Sequence, residues 1–380
     1  SGRLRVDPHR CFTAPALSAG TMHLSYLRLR DFRNYQQADQ AFEPGFHLLL
    51  GQNAQGKTNV LEAIYLLATL RSFRGVGASQ MVRHGAKGLF VGAELRGQQR
   101  CRIRYYWSSQ QRRLSVDQEP VKRLEDYLGL LRAVVFCTED LQLIKGSPKG
   151  RRRFMDLLLA QTEPTYLHSL QQYVRLLRSR NALLKQARVD AGSLEAFTSQ
   201  LVLHGQSLID ARVRLIPRLA PLAQAAYRRI APDAETLSME YAPSAREDFA
   251  SELRRVAIRE KMVKSTLIGP HRDDCLFKLN NQFVCDYGSE GQKRSVAIAL
   301  KMAQAELLTH QMGVPPILLI DDVMGELDRQ RRSGLLPLLE RAHHANGQVF
   351  MTCTEENWPR ELGRRLYRWH VQSGQLSKGH

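Results

Sequence analysis

One octapeptide, Gly51-Gln-Asn-Ala-Gln-Gly-Lys-Thr58, carries the strongest structural signal in this chain. The apolar residues 46–50 precede it as a predicted buried strand, and residues 59–67 follow it with helical character. A glycine-rich loop between a strand and a helix turns its backbone N–H groups toward nucleotide phosphates, at the positive end of the helix. The alternative, a chance glycine-rich turn, explains neither the strand nor the helix. The octapeptide therefore predicts a phosphate-binding loop (P-loop) in an α/β fold.

Every residue of the P-loop is a candidate nucleotide ligand. Lys57 is expected to reach the β- and γ-phosphates, and Thr58 to place its hydroxyl on Mg²⁺. The predicted cofactors are therefore ATP and Mg²⁺. The predicted loop ligands are Gly51, Gln52, Asn53, Ala54, Gln55, Gly56, Lys57 and Thr58.

A second acidic group lies far downstream, at the end of the apolar run Pro316-Ile-Leu-Leu-Ile-Asp-Asp322. A run this apolar suits a parallel strand covered on both faces, and ligand sites of α/β sheets lie at the carboxyl ends of such strands. Asp321 is predicted to hold Mg²⁺ through water, and Asp322 to orient or deprotonate the attacking water. The predicted catalytic residues are thus Asp322 and Lys57. Two carboxylates that merely cap a strand exit are the alternative.

A serine-glycine turn, Gly288-Ser-Glu-Gly-Gln-Lys-Arg294, opens a predicted helix over residues 295–303. It is a second anion-ready helix N-terminus. One chain has little use for two such sites unless the second serves the nucleotide of another subunit. That arrangement is similar to ABC-type ATPases, in which two heads sandwich ATP. The predicted ligands from this turn are Ser289, Gly291 and Gln292, and Gly325-Glu-Leu-Asp328 resembles the D-loop of those ATPases, which adds Asp328.

Taken together, the motifs resemble the RecF family of bacterial recombination-mediator ATPases, relatives of the SMC heads. The matching segments, in family order, are Leu27-Arg-Leu-Arg-Asp-Phe-Arg-Asn-Tyr35, the P-loop, Arg71-Ser-Phe-Arg-Gly75, Glu139-Asp-Leu141, Gly146-Ser-Pro-Lys-Gly-Arg-Arg-Arg-Phe-Met-Asp156, Gly269-Pro-His-Arg-Asp-Asp274, the serine turn and Asp321-Asp-Val-Met-Gly-Glu-Leu-Asp328. The resemblance implies a mixed α/β (α+β) fold, an ABC-ATPase/SMC-like head with a P-loop NTPase core and a helical insertion lobe. It also places Arg33 and Asn34 near the adenine.

Some positions depart from the general ABC pattern. Asp322 stands where most ABC ATPases carry Glu, and its shorter side chain predicts slow hydrolysis. The usual switch histidine is absent, and Thr352 or Thr354 occupies its place. No clear Q-loop glutamine is found; Glu139, after the predicted strand 134–136, is the nearest equivalent by position.

The chain is predicted to form one ATPase head that is interrupted in sequence by a helical insertion. Residues 1–21 are expected to be a non-homologous leader or a cloning remnant, without the long apolar run of a signal peptide. The ATPase head is expected over 22–145 plus 266–373, and the helical insertion lobe over 146–265. Within the lobe, Ser193 is a predicted N-cap, and helices are expected to bend or end at Pro164, Pro217 and Pro221. After the lobe, a strand at 275–279 is predicted to turn at 280–281 and resume over 282–285.

Composition favours a polyanionic partner. The 380 residues include 55 Lys and Arg against 37 Asp and Glu, a formal net charge of +18, and basic side chains release counterions from phosphate backbones. No apolar run is long enough for a membrane span, so no membrane partner is predicted. The six cysteines are scattered, without zinc or redox spacing, which is typical of reduced thiols in a cytoplasmic protein.

The basic residues cluster on the insertion lobe. Singly, each cluster suits a solvated helix face; together they predict a positive surface that a dimer would join into one groove for double-stranded DNA. No aromatic array for stacking single-stranded bases is visible. The clusters are Lys149 with Arg151, Arg152 and Arg153; Arg175, Arg178, Arg180, Lys185 and Arg188; and Arg254, Arg255, Arg259, Lys261 and Lys264.

Two classes of function follow. In the first, an ATP-dependent homodimer clamps duplex DNA or double-strand/single-strand junctions and is a weak, DNA-stimulated ATPase. The resemblance adds RecO and RecR as partners and the loading of RecA at single-strand gaps. The second class is another ABC-type ATPase subunit or a P-loop phosphotransferase. For His271 and Arg272 two roles remain open: coupling of the lobes or a contact across the dimer, and a structural salt-bridge and turn role. A metal site is not predicted there, because His271 has no partner at metal-ligand spacing.

Overall fold

A computed structural model describes residues 23–97, 100–231, 235–245, 247–344, 347–354 and 366–379. The predicted leader, residues 1–21, lies outside this part of the chain. The strands in chain order are β1 (His23–Phe32), β2 (Tyr35–Ala41), β3 (Gly45–Leu50), β4 (Gly88–Arg96), β5 (Arg100–Ser108), β6 (Arg112–Val116), β7 (Glu119–Pro120), β8 (Ala133–Phe136), β9 (Leu237–Ala242), β10 (Asp274–Leu279), β11 (Gln282–Phe283), β12 (Ile317–Asp321), β13 (Gln348–Cys353), β14 (Leu366–Gln372) and β15 (Gln375–Lys378).

The α-helices are α1 (Lys57–Thr69), α2 (Gln142–Lys145), α3 (Pro148–Thr162), α4 (Pro164–Leu184), α5 (Ala191–Ile230), α6 (Phe249–Arg255), α7 (Ala257–Val263), α8 (Val284–Tyr287), α9 (Glu290–Met312), α10 (Val323–Glu326) and α11 (Arg329–His344). Short 3₁₀ turns cover Ala78–Met81, Leu124–Asp126 and Thr138–Leu141. Among the residues described, no helix combines the length and apolarity needed to span a bilayer.

The central sheet has the strand order β15-β14-β3-β13-β12-β8 within the described residues. All of its pairings are parallel except that of β14 with β15. Side chains alternate between two cores: Leu318 and Ile320 face the core shared with α5 and α9, while Leu319 faces the core beneath α1. Because both of its faces are covered, β12 is apolar as far as Asp321, as the sequence predicted. The parallel order brings the carboxyl ends of β3, β12 and β13 to one edge.

Two antiparallel sheets flank this centre. The strands β2-β1-β4-β5-β6-β7 form one sheet, which supports α1, and β11-β10-β9 form a small one. The predicted turn at Asn280 and Asn281 is confirmed, because both residues have positive φ angles, 48° and 66°. The strand that follows it is shorter than predicted: Val284 and Cys285 begin α8 instead.

The insertion lobe differs from its prediction in three ways. It is not wholly helical, because β9 pairs with β10 beyond the lobe. Pro217 and Pro221 do not end a helix, since the 40-residue α5 runs through both. The prediction for Pro164 is confirmed, because α3 ends at Thr162 and Pro164 starts α4, where its missing N–H costs nothing. Ser193 is not the N-cap of α5: Asp190 is, and its carboxylate accepts the Ser193 N–H at 2.7 Å.

Two of the predicted surface cations are buried, which corrects part of the predicted basic surface. Arg180 is 2% exposed and donates to Glu260, Thr266 and Thr198 at 2.7–2.9 Å. Arg151 makes a two-pronged ion pair with Asp274, at 2.7 and 2.9 Å. These pairs fasten the helices of the lobe to one another and to β10, because a buried guanidinium is stable only when its donors are satisfied. Of the remaining clustered cations, Arg152 and Arg153 are half-buried and the others are exposed.

His271 also has a structural place. Its Nδ1 lies 2.7 Å from the Tyr173 hydroxyl, and its Nε2 lies 3.1 Å from the Thr266 carbonyl. A neutral ring with the proton on Nε2 satisfies both contacts. Burial lowers the pKa of His271 to about 4, so the ring stays neutral at physiological pH. Within the described residues, His271 therefore connects the segment after the lobe to α4 of the lobe through Tyr173, a structural contact that also joins the two parts of the chain.

Candidate nucleotide-binding site

The P-loop joins β3 to α1 along the edge where the parallel strands end. At Gly51 a Cβ atom would collide with the Val371 carbonyl, and at Gly56 it would lie 2.7 Å from the Asn34 side chain. Both residues also have positive φ angles, 154° and 115°. Only glycine satisfies both constraints. The sequence rule for this loop therefore has a direct steric cause in the neighbouring β14 and β1–β2 turn.

Lys57, the first residue of α1, points back over the loop. Its ammonium donates to the carbonyls of Gly51 and Gln52, the latter at 2.9 Å. Burial lowers the pKa of Lys57, while the charges of Asp322 and Asp321 oppose that shift. The ammonium is thus held at the mouth of the loop between backbone oxygens and carboxylates. A phosphate there would replace two neutral acceptors by charged ones.

Asp321, at the end of β12, is fixed by two hydroxyls. Thr58 Oγ1 donates to its Oδ1 at 2.7 Å, and Thr352 Oγ1 donates to the same oxygen at 2.9 Å. Burial raises the pKa of Asp321, and the two hydroxyl donors counter part of that rise. The hydroxyl of Thr58 and the carboxylate of Asp321 are hard oxygen donors of the kind that Mg²⁺ prefers. The residues present therefore fit the predicted metal.

Asp322 stands at the rim of the pocket. Its φ of 55° is left-handed, which turns its side chain away from the strand direction. Its N–H donates to Thr352 Oγ1 at 2.9 Å, and its exposed side chain lines the same cavity as Lys57 and Thr58. Thr352 thus links the two aspartates. Of the two threonines considered for the switch position, Thr352 lines the pocket, whereas Thr354 is exposed and is not part of its wall.

The cavity over the P-loop has a volume of about 490 Å³, within the usual range for a small-molecule site. Its walls bring together most of the predicted P-loop residues, Asp322, Arg33 and Asn34. They also add residues that the sequence did not single out. These additional wall residues are Asn59, Arg74, Gln80 and Val82.

Arg33 and Asn34 shape the pocket wall. The Arg33 guanidinium makes two bonds of 2.7 Å to Glu62, a fully buried carboxylate on α1, and a third to the Gln80 carbonyl. Asn34 donates to the Gln55 carbonyl and accepts from Asn59 Nδ2, each at 2.8 Å. All three guanidinium nitrogens of Arg33 therefore donate hydrogen bonds within the protein. Arg33 contributes to the pocket as a rigid part of its wall rather than as a hydrogen-bond donor to the nucleotide.

The serine turn caps a long helix. Ser289 is exposed and accepts the Gln292 N–H at 3.2 Å, while the Gln292 side chain accepts the Ser289 N–H at 2.7 Å. This reciprocal capping box begins the 23-residue α9. The turn therefore presents a rigid, positive helix end to solvent. The predicted ligands Ser289, Gly291 and Gln292 do not line the P-loop cavity of their own chain.

The predicted D-loop residue is tied to the same turn. Asp328 accepts the Arg331 N–H at 2.9 Å, at the start of α11. The Arg331 guanidinium in turn donates to the Gly291 carbonyl at 3.1 Å and to Ser295 Oγ at 2.8 Å. Asp328, like Ser289, lies outside the P-loop cavity. The serine turn and Asp328 thus form one hydrogen-bonded group that is separate from the P-loop cavity.

Glu139, the nearest equivalent of a Q-loop residue, follows β8, the strand next to β12. Its charge is among the influences that raise the pKa of Asp321, after burial. Next to it, the half-buried Asp140 lies 3.5 Å from the buried Lys301 ammonium on α9. The segment after β8 therefore stands between the P-loop site and the helix of the serine turn.

The fold and the site define a class of protein, the ABC-type ATPase heads, in the branch that includes the SMC proteins. The family model described as RecF/RecN/SMC N terminal domain matches residues 23–378. The chain belongs to the RecF family, as the sequence motifs predicted.

Individual relatives agree with this assignment. The DNA replication and repair protein RecF of Symbiobacterium thermophilum is 38% identical over 367 residues, covering 91% of this chain and 96% of the relative. The protein of that name from Lactococcus lactis subsp. cremoris is 37% identical over 360 residues, covering 94% and 99%. These relatives extend along nearly the whole of both chains.

Solved structures agree as well. The recombination mediator protein RecF with ATP, of the RecFOR pathway, has a TM-score of 0.86 at 30% identity, over 94% of this chain and 99% of that chain. An Smc head domain derived from Pyrococcus furiosus has a TM-score of 0.56 at 14% identity, over 94% and 96%. The second likeness concerns the fold alone. The predicted ABC-ATPase/SMC-like fold is confirmed.

Proposed function

We propose that this chain is an ATP-dependent DNA-binding mediator of single-strand gap repair, whose two copies close on DNA when ATP binds. The observation that carries the proposal is the division of the site. The cavity over the P-loop lacks the serine turn of its own chain, and Ser289 is exposed at the N-terminus of α9. A second copy of the chain supplies the missing half of each site.

Nucleotide binding follows from the residues already described. The P-loop N–H groups and Lys57 hold the phosphates, with Arg33 and Asn34 fixing the wall of the pocket. Thr58 and Asp321 would hold Mg²⁺, which would neutralise phosphate charge there. Ser289, Gly291, Gln292 and Asp328 of the second copy cover the open side. ATP is then shared between two chains, and its loss separates them.

Hydrolysis is assigned to Asp322. Its carboxylate orients a water molecule and takes up its proton as the water oxygen bonds to the γ-phosphorus and the bond to the β–γ bridging oxygen breaks. The products are ADP and phosphate. An aspartate reaches less far than the glutamate of most ABC ATPases, so the reaction is slow and opening of the dimer follows it. The chain is accordingly a weak ATPase, which DNA stimulates.

DNA binding is assigned to the exposed cations of the insertion lobe. These are Arg175, Arg178, Lys185, Arg188, Arg254, Arg255, Arg259, Lys261 and Lys264. Two lobes in a dimer make one positive groove for duplex DNA or a double-strand/single-strand junction. The relatives named for DNA replication and repair and for the RecFOR pathway support this assignment. The name of the RecFOR pathway also supports RecO and RecR as partners. The loading of RecA and a cytoplasmic location are part of the same proposal and rest on the family resemblance of the sequence motifs.

Replacing Asp322 by asparagine tests the catalytic assignment. The amide keeps the size of the side chain but accepts no proton, so hydrolysis should fall by about 10²–10⁴-fold. ATP binding should persist, and an ATP dimer should accumulate on a gapped duplex. Phosphate release and sedimentation with labelled DNA measure both effects. Asp210→Asn, at an exposed position on α5, is the matched control; turnover in Asp322→Asn at the control's rate would contradict the role of Asp322.

Salt dependence tests the mode of DNA binding. If the lobe binds phosphates without reading bases, the logarithm of the duplex affinity should fall linearly with the logarithm of the salt concentration. About six phosphate contacts correspond to a loss of about 10³ between roughly 50 and 200 mM salt. Titrations of labelled duplexes of two unrelated sequences should give the same slope. A flat dependence, or a strong preference for one sequence, would contradict backbone recognition.

A further inference from the structure

A second cavity, separate from the nucleotide pocket, lies between the head and the insertion lobe. Its volume is about 1180 Å³, above the roughly 300–1,000 Å³ of ordinary small-molecule sites. The head contributes the segment after α1 and the strands β5 and β6. The lobe contributes α3 and α4. We refer to this cavity as the interlobe cleft.

The interlobe cleft is strongly basic. Its wall contains eight cationic side chains and a single carboxylate, Asp156, which pairs with Arg212 at 2.7 Å. None of the other seven forms a side-chain ion pair within the part of the chain that the structure describes; Arg152 and Arg153 donate to backbone carbonyls. These seven cations are Arg71, Arg112, Lys149, Arg152, Arg153, Arg175 and Arg178. The cleft therefore gathers positive charge that the chain itself does not neutralise.

Several of these cations are held close together. Arg153 donates to the Ser72 carbonyl at 3.2 Å, which places it beside Arg71. Partial desolvation in the cleft, followed by repulsion from Arg153, lowers the pKa of Arg71. Repulsion between neighbouring like charges destabilises the folded chain. A bound polyanion would remove that repulsion and form charge-assisted hydrogen bonds with the same groups.

Aromatic side chains share the cleft. Trp107 is half-buried on β5 and lines the cavity, and the Arg112 guanidinium lies over the Tyr105 ring at 5.4 Å. The sequence predicted no aromatic array because these residues and the cations of α3 and α4 lie far apart along the chain. Aromatic faces together with arginine in a positive groove are the means by which proteins hold single-stranded nucleic acid.

We propose that the interlobe cleft binds a short single-stranded nucleic-acid segment, with a base on Trp107 and phosphates on the surrounding cations. A duplex is the poorer ligand, because its stacked bases expose their faces only at the ends. The inference rests on the proposed DNA function and deepens it. Each protomer then has a site for the single-stranded arm of a junction, which adjoins the exposed lobe surface that receives the duplex and shares Arg175 and Arg178 with it.

The test compares two pairs of arginines. Arg112 lies on the cleft face of the antiparallel sheet, and Arg71 lines the cleft from the segment after α1. Arg104 and Arg113 lie on exposed positions of β5 and β6 outside the cleft wall. The cleft pair is the double variant Arg71→Ala/Arg112→Ala, and the control pair is Arg104→Ala/Arg113→Ala. Each removes two positive charges from the full-length chain. Binding of labelled oligo-dT, blunt duplex and gapped duplex is measured by anisotropy over a range of salt.

The cleft pair should lower the oligo-dT affinity by about tenfold or more and reduce the salt slope by about 1.4, the value for two phosphate contacts to a single strand. The control pair should leave both unchanged, and blunt duplex should bind both variants equally. Oligo-dT should also quench the tryptophan fluorescence of the wild type, and this change should disappear in Trp107→Phe. Inorganic phosphate alone should not quench.

Three results would overturn the inference: equal losses in the cleft and control pairs, an equal loss for duplex and oligo-dT, or quenching that survives in Trp107→Phe. Failure of the underlying function has a different signature. If the wild-type chain binds no DNA of any form with ATP, the proposed DNA function is wrong. If duplex binding is intact and the Arg71→Ala/Arg112→Ala variant binds oligo-dT with wild-type affinity, only the cleft assignment is wrong.

Discussion

Replacement of Lys57 by alanine should abolish ATP binding. The ammonium lies at the mouth of the P-loop, where it now donates to the Gly51 and Gln52 carbonyls. Phosphate oxygens would replace these neutral acceptors, and a hydrogen bond to a charged group contributes about 1.5–3 kcal/mol. Loss of two such bonds raises the Kd by at least about a hundredfold. Calorimetric titration with ATP measures the change directly.

The control for this experiment must separate affinity from folding. Lys87→Ala removes the same group at an exposed position outside the nucleotide pocket, and it should bind ATP as the wild type does. Thermal unfolding of Lys57→Ala without nucleotide should resemble that of the wild type, because the carbonyls it leaves are at a solvent-open loop. ATP affinity close to the wild-type value in Lys57→Ala would remove the P-loop from its proposed role.

The fold was predictable because its signals are local in sequence. The P-loop octapeptide requires a strand before it and a helix after it, and both are present as β3 and α1. The apolar run that ends at Asp321 has no polar face, which only a covered parallel strand tolerates. The sequence could not reveal that Thr352 bonds Asp321, because that contact depends on β12 and β13 being neighbours.

The surface of the insertion lobe was harder to predict, since arginine suits two opposite environments. Arg180 and Arg178 look alike in a helical pattern, yet Arg180 is buried against Glu260 and Arg178 is exposed. The partner of Arg180 lies 80 residues away and that of Arg151 lies 123 residues away. No local pattern connects such pairs. The same limitation hid the interlobe cleft, whose cations and aromatic rings belong to separate segments.

The long helix α5 is a third case. Its Pro217 and Pro221 argue for a break when only local cost is considered. In the structure the helix buries Leu215, Leu219 and Ala223 in the larger core, and tertiary packing of an apolar face outweighs the lost backbone bonds. The local rule therefore predicted an interruption at these two prolines, where the helix continues.

A single chain also cannot display a site that two copies build. Ser289 is an ordinary N-cap when its own chain is considered alone, and the capping box accounts for its hydrogen bonds. Ser289 is exposed and lies outside the P-loop cavity of its own chain, so it can contact a nucleotide only if that nucleotide is held by a second copy. The dimer is therefore best tested at this residue.

Replacement of Ser289 by arginine should abolish ATP-dependent dimerisation and leave ATP binding to the single chain intact. The long cationic side chain would stand where the γ-phosphate and P-loop of the partner approach, and would exclude them sterically. Loss of the N-cap costs only about 1 kcal/mol, which a 23-residue helix with a buried face should tolerate. Sedimentation with a non-hydrolysable ATP analogue should show a monomer, while titration with ATP should give a Kd close to that of the wild type.

Ser289→Asp separates the interface from the cap. Aspartate accepts the Gln292 N–H as serine does and suits the positive helix end, so thermal unfolding should match the wild type. Its carboxylate would nevertheless face the phosphates of the partner's ATP, and repulsion should again prevent dimerisation. Ser207→Arg, at an exposed position on α5, should dimerise normally. If both Ser289 variants still form dimers with ATP, the nucleotide does not join the two chains through this turn.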